Sequence, residues 1–200
     1  MFYDFIEAGL YQFESLSKRG DLQKGIVIEP ITDIINKTEV GKYVFKENSA
    51  IDGESRIDHR FYVDDELRIK YDLPSWICSL SSFTQVHPLV EKEFNQRGIF
   101  LSEIKLRQVD VVTWEIIFQK YNVVGVNVLK LNSFKRDCKI LELFLDQAEK
   151  TAIVLPEKII YHTLYEKDIN YVESSYKRLK ELGYKIEIIG IETIATKNEN

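Results

Sequence analysis

Apolar residues recur at helical spacing through the start of the chain, at Phe2, Phe5, Ile6, Leu10, Phe13 and Leu16. That spacing predicts an amphipathic helix over 2–18, ended by Gly20. Residues 25–50 hold no clean period. Short apolar stretches at 26–28 and 43–45 read as strands, and Pro30 and Asn36-Lys37-Thr38 interrupt them. Alternation then becomes clear. Ile57, Phe61 and Val63 alternate with Arg56, Asp58, Arg60 and Tyr62, and Leu67, Ile69, Tyr71 and Leu73 alternate with Glu66, Arg68, Lys70 and Asp72. With Asp64-Asp65 between them, the two runs predict a β-hairpin with one buried face. Pro74 stops it, and the serine-rich stretch 74–86 reads as a boundary.

From His87 onward the elements sharpen. Pro88 suits a first helical turn and Gly98 a C-terminal cap, with Leu89, Val90 and Phe94 on the apolar side. Residues 99–106, 108–118 and 123–130 read as three strands. Asn132-Ser133 offers an N-cap for a long helix lined by Phe134, Cys138, Leu141, Leu145 and Ala148. Residues 151–155 read as a buried strand, 167–182 as a helix closed by Gly183, and 185–191 as a last strand. The expected class is α/β, in the order helix, three strands, helix, strand, helix, strand over 85–200. An N-terminal helix and hairpin extension over 1–84 precedes it, suited to docking or dimerisation.

Composition narrows the function classes. The 200 residues are 44% hydrophobic and 30% charged, as in ordinary folded domains, and 11 Tyr and 11 Phe supply a sizeable core. A net charge of −5 argues against retention on nucleic acid by bulk charge. Cys78 and Cys138 form no metal-type spacing and fit a reducing compartment. No HExxH, CxxC, GxSxG or P-loop pattern occurs. The N-terminus carries acids where a signal peptide needs bases, and no apolar run approaches a membrane span. The expected location is cytoplasmic, away from membranes.

The phrases Arg107-Gln108-Val109-Asp110-Val111-Val112 and Val124-Gly125-Val126-Asn127-Val128-Leu129-Lys130, within that element order, resemble the acid-bearing second and third strands of the PD-(D/E)xK nuclease-like superfamily. The resemblance covers about residues 87–191. It implies a restriction-endonuclease-like mixed sheet, with Asp110 as a metal ligand, Asn127 in place of the second acid, and Lys130 one residue beyond the expected lysine. A regular strand turns Lys130 to the opposite face. An amide binds Mg²⁺ more weakly than a carboxylate. Glu103, or Glu91 and Glu93, would supplement the acids, while Lys135, Arg136 and Lys139 would face nucleic acid, with Gln147 further along the same helix. A second register uses Glu103-Ile104-Lys105 with Asp72 or Asp58.

The missing acid and lysine make a degenerate nuclease-like subunit of a DNA-processing, mobile-element or defence assembly the leading expectation, with a protein partner or a homodimer. An active endonuclease would use Asp110, Lys130 and Mg²⁺. An unrelated α/β interaction protein, such as an immunity or adaptor protein, is the third expectation.

Overall fold

The computed structural model describes residues 1–10, 15–19, 21, 23–83, 85–133, 135–163, 166 and 168–198, with Ser79 described by its backbone alone. Phe13, Gly20 and Phe134 of the expected helices lie outside the described residues. The chain opens with a strand, β1 (Phe2–Ala8), where a helix was expected. Its residues from Phe5 to Ala8 are all buried, because β1 lies mid-sheet with both faces covered. A strand buried on both sides loses its alternation, and its apolar positions then mimic a helical period.

β2 (Lys24–Ile28), α1 (Thr32–Lys37) and β3 (Tyr43–Glu47) follow, and then the short β4 (Ala50–Ile51). The expected hairpin is half right. Its first arm is β5 (Arg56–Tyr62), but its second arm is a helix, α2 (Asp65–Lys70). Asp64 caps that helix by accepting a hydrogen bond from Leu67 N at 2.9 Å. α3 (Pro88–Gln96) matches its prediction, with His87 as N-cap and Gly98 at φ +66 beyond its end.

Residues 101–103 form one 3-10 turn, and the strand expected from 99 starts later, as β6 (Lys105–Val112). The expected strand over 108–118 breaks at Thr113, whose side chain caps α4 (Trp114–Tyr121). Trp114, Ile117, Phe118 and Tyr121 are buried at i, i+3, i+4 and i+7, so helical packing overrides the strand propensity of these residues. β7 (Gly125–Leu131) stands where expected, and α5 (Asp137–Thr151) starts after a turn at 133–136 in which Lys135 takes φ +61. The expected strand at 151–155 falls on Thr151, the last residue of α5, and the loop after it, where Val154 makes an isolated bridge to Gly125. The true next strand is β8 (Lys158–His162). α6 (Ile169–Glu181), β9 (Tyr184–Ile189) and β10 (Glu192–Lys197) complete the chain. Over the described residues of 87–191 helices and strands alternate, in place of the three strands expected in succession.

Seven strands form one mixed sheet in the order β3-β2-β1-β7-β8-β10-β9. The first five are parallel, and β10 runs antiparallel to both neighbours. β1 pairs with β2 on one side and β7 on the other, so the sheet spans the expected boundary near residue 85. One face carries Ile6, Ala8, Leu129, Leu131 and Ile159 against α4, α5 and α6. Trp114 packs edge-on to Phe144 there, and its indole N–H donates to Ile140 O at 3.0 Å. The other face carries Phe5, Val27 and Val44 beneath α1, α2, α3 and a second, three-stranded sheet, β4-β6-β5. That small sheet is inserted between β3 and β7. Among the described residues no helix is long and apolar enough to cross a membrane.

Two glycines with positive φ separate backbone preference from crowding. Gly9 takes φ +86, and an added Cβ would lie 2.2 Å from Asn132 O; at Gly98 nothing lies within 4 Å. Gly98→Ala is expected to cost about 1 kcal/mol, the left-handed preference alone. Gly9→Ala is expected to cost at least about 3 kcal/mol, since two backbones must part. Urea denaturation midpoints check the difference, and equal losses would contradict it.

Candidate ligand crevice at the sheet switch point

Strand order reverses between β1 and β7. In open parallel sheets ligands bind at such a point, outside the carboxyl ends of the strands. Gly9 follows β1 there, its N–H donating to Ile28 O at 2.9 Å, while Asn132 N–H donates to Ala8 O at 2.8 Å. The first bond ties the end of β1 to β2, and the second seats the β1 and β7 loops against each other, so that Gly9 has no room for a side chain beside Asn132 O.

Glu29 follows β2 in the same way and is buried. Its Oε2 accepts from Leu10 N–H and its Oε1 from Ile31 N–H, both at 3.0 Å. Burial raises its pKa, while the charge of Arg60 and the two N–H bonds work against that rise. Each carboxylate oxygen keeps capacity for a further donor.

Arg60 reaches this end of the sheet from β5 and is 7% exposed. Its guanidinium stands 4.4 Å from the centre of the Phe83 ring and donates through Nη2 to Ser81 O at 3.3 Å. Burial pushes its pKa down to about 10. Arg136 approaches the same ring at 5.3 Å. Gly9, Ser49, Arg60, Phe83, Ser133 and Arg136 line a crevice of about 10 Å³. Beside it Asp52 meets three cations: Arg136 at 2.7 Å, Lys139 at 2.9 Å and Arg56 at 2.9 Å. Burial opposes its charge, but these partners outweigh burial and hold its carboxyl well below the usual range.

Two further buried pairs lie on β1, β7, α5 and β8. Glu7 on β1 accepts from Ser15 Oγ at 2.7 Å and Leu16 N–H at 2.9 Å, with Lys130 at 3.8 Å. Burial raises the Glu7 pKa. Asp137 opens α5, accepts from Ser133 N–H, and accepts from His162 N–H at 2.9 Å with its imidazole Nδ1 at 3.0 Å. This staples the end of β8 to the loop after β7.

The residues expected from the nuclease resemblance do not converge. Asp110 lies exposed on β6 of the small sheet, opposite Ile57, whereas Asn127 and Lys130 belong to β7 of the large sheet. Lys130 is buried beside Glu7, so it does not reach water next to Asp110. Glu103 pairs with Lys70 at 2.8 Å, Glu93 with Arg97 at 2.6 Å, and Asp58 with Arg56 at 3.0 Å. Arg136 and Lys139 turn inward to Asp52, and Lys135 sits on the preceding turn. Among the described residues no three His, Cys, Asp or Glu side chains are grouped to hold a metal ion.

Sequence reasoning missed Gly9, Glu29, Asp52, Arg60, Asp137 and His162. One signal was present: Gly9 and Glu29 each end an apolar run and stand twenty residues apart, the spacing of a phosphate-loop glycine and a ribose-binding acid in Rossmann-type domains. Assigning 2–18 to a helix concealed it. Searches of family models, curated proteins and solved structures find no match to this chain.

The His162 pKa is raised: burial lowers it, but the hydrogen bond and charge of Asp137, with Glu192, more than compensate. A raised folded pKa stabilises fully below the unfolded value of about 6.5 and is lost as pH rises through the folded value. Stability is therefore expected to decline from about pH 6.5 upward. His162→Gln should flatten that decline in urea titrations across pH 5.5–9, and an unchanged slope would assign it elsewhere.

Proposed function

We propose that this chain is a Rossmann-type domain that takes a ribose-bearing nucleoside at the β1/β7 switch point, with Glu29 as the ribose acceptor. The observation that carries the reading is the placement of Glu29, at the end of β2 beside the switch strand and twenty residues after the Gly9 turn. An acid there accepts from ribose hydroxyls in nucleotide-binding domains of this architecture.

The sheet order refines the ligand class by fold-level analogy. Five parallel strands in the order 3-2-1-4-5, extended by a pair in which the final strand is inserted antiparallel, make up the sheet shared by S-adenosylmethionine-dependent methyltransferases. The β3-β2-β1-β7-β8-β10-β9 sheet follows it strand for strand. S-adenosyl nucleosides therefore head the candidates.

The Glu29 carboxylate suits a ribose, but the crevice lined by Gly9, Arg60 and Phe83 does not admit a whole nucleoside. A crevice of about 10 Å³ holds roughly one water, and drug-sized ligands occupy roughly 300–1,000 Å³. We therefore assign binding and no transfer step. A degenerate nuclease-like subunit has less support, since Asp110 and Lys130 stand in different sheets and the inward-turned Arg136 and Lys139 offer no phosphate track.

Calorimetric titration with S-adenosylhomocysteine, S-adenosylmethionine, NAD and ATP tests the reading. At least one is expected to bind, and Glu29→Gln is expected to weaken it about tenfold or more through loss of a charge-assisted bond. Absence of binding by all four, or equal binding by the variant, would refute it.

A further inference from the structure

The crevice is filled by the protein itself. Arg60 arrives from β5 of the small sheet and Phe83 from the segment that precedes α3, and the backbone couples them: Phe61 N–H donates to Ser82 O at 2.9 Å, and Ser82 N–H donates to Phe61 O at 3.2 Å. They therefore move as one piece with β5.

Arg60 is poorly satisfied where it sits. Its Nε is buried without a hydrogen-bond partner among the described residues. The charge of Glu29 acts on it, yet no direct ion pair between the two forms. Buried polar atoms nearly always find partners, and a buried cation lacking a close counter-ion is costly. Ser49, on the same lining, is buried.

Asp52 supplies the fastening. It follows β4 of the small sheet and holds Arg136 and Lys139 on the α5 side, while Arg56 binds it from β5. The small sheet is thus latched to α5 at one carboxylate, immediately beside the crevice.

We infer that Phe83 and Arg60 are an internal occupant of the crevice, carried by the small sheet, latched to α5 through Asp52, and displaced before any ligand enters. The Phe83 ring, approached by two guanidinium groups, fills the space that a planar base would take, and cations attract any such π face. The identity of the external ligand rests on the nucleoside reading; the movement of the plug does not. When the binding-competent form is a minor fraction, apparent affinity falls by that fraction, so unfastening the plug strengthens binding without touching the ligand.

The test needs no ligand for its first arm. In Ser49→Cys protein the new thiol lines the closed crevice, and its alkylation by iodoacetamide is followed by site-resolved mass spectrometry. Adding Phe83→Ala removes the plug, and adding Asp52→Asn releases the latch with the plug intact. Each is expected to speed labelling at position 49 about tenfold or more, while the buried Cys78 and Cys138 report that the fold is retained. If Asp52→Asn does not fold, Lys139→Gln loosens the same latch from the partly exposed side. Labelling unchanged in both the plug and the latch variants overturns the inference.

The second arm measures S-adenosylhomocysteine affinity in Phe83→Ala, expected to rise about tenfold over the parent. Faster labelling with no nucleoside binding upholds the plug and sinks the nucleoside reading. Nucleoside binding of equal strength in parent and variant, with unchanged labelling, does the reverse.

Discussion

The structure turns on the contact between two backbones, where the loop after β1 meets the loop after β7. Ala8 O accepts from Asn132 N–H, Gly9 sits against Asn132 O, and neither loop can shift without the other. That contact fixes the register of the two strands on which both halves of the large sheet are built. Everything at the carboxyl end of the sheet is placed relative to it: Glu29 one strand away, Ser133 and Asp137 just beyond, and His162 at the end of the following strand. A glycine is required because the chain must turn with a positive φ in a space that admits no Cβ.

Around that contact the protein gathers several buried charged groups. Glu7 with Lys130, Glu29 near Arg60, Asp52 with its three cations, and Asp137 with His162 all gather at or near one end of the parallel strands. Burying ions gains little on balance even when they are well paired. Their concentration at the end of the sheet where doubly wound folds place ligands is therefore a stronger pointer to function than any one residue. The oxygens of Glu29 are met by backbone N–H groups while its nearest cation stays at a distance. Such a group is held in position and still able to take another donor.

How legible this was in the sequence depended on burial. α3, α5, α6 and β7 could be read because each is amphipathic or bounded by recognisable caps, as with Pro88 and Gly98 around α3. β1 could not, because covering both faces erased its period-two signal. α4 was hidden by its composition, since Trp114, Ile116, Ile117 and Phe118 favour strands until the packing positions are counted by helical turns. The second misreading supplied the run of three consecutive strands in the expected order over 87–191. The candidate site was obscured by the first: once β1 is taken for a helix, Gly9 becomes an ordinary helical residue and Glu29 a loop acid. Arg60 and Asp52 were beyond local reading, because their roles depend on the small sheet folding back over the large one.

The insertion of that small sheet also governs how the chain must assemble. β1 precedes every other strand of the large sheet along these residues, yet its partner across the switch point begins at Gly125, opposite Phe2. Until β7 has been synthesised, the central strand of the finished sheet, with Phe5 and Ile6, has one unpaired edge. Pairings of such sequence separation are slow to form, and an unpaired apolar edge invites association with other chains. The folding unit is therefore the chain through β7 at the least. A fragment ending after the small sheet would leave β1 as an edge strand, aggregation-prone and without the loop that holds Gly9 in place.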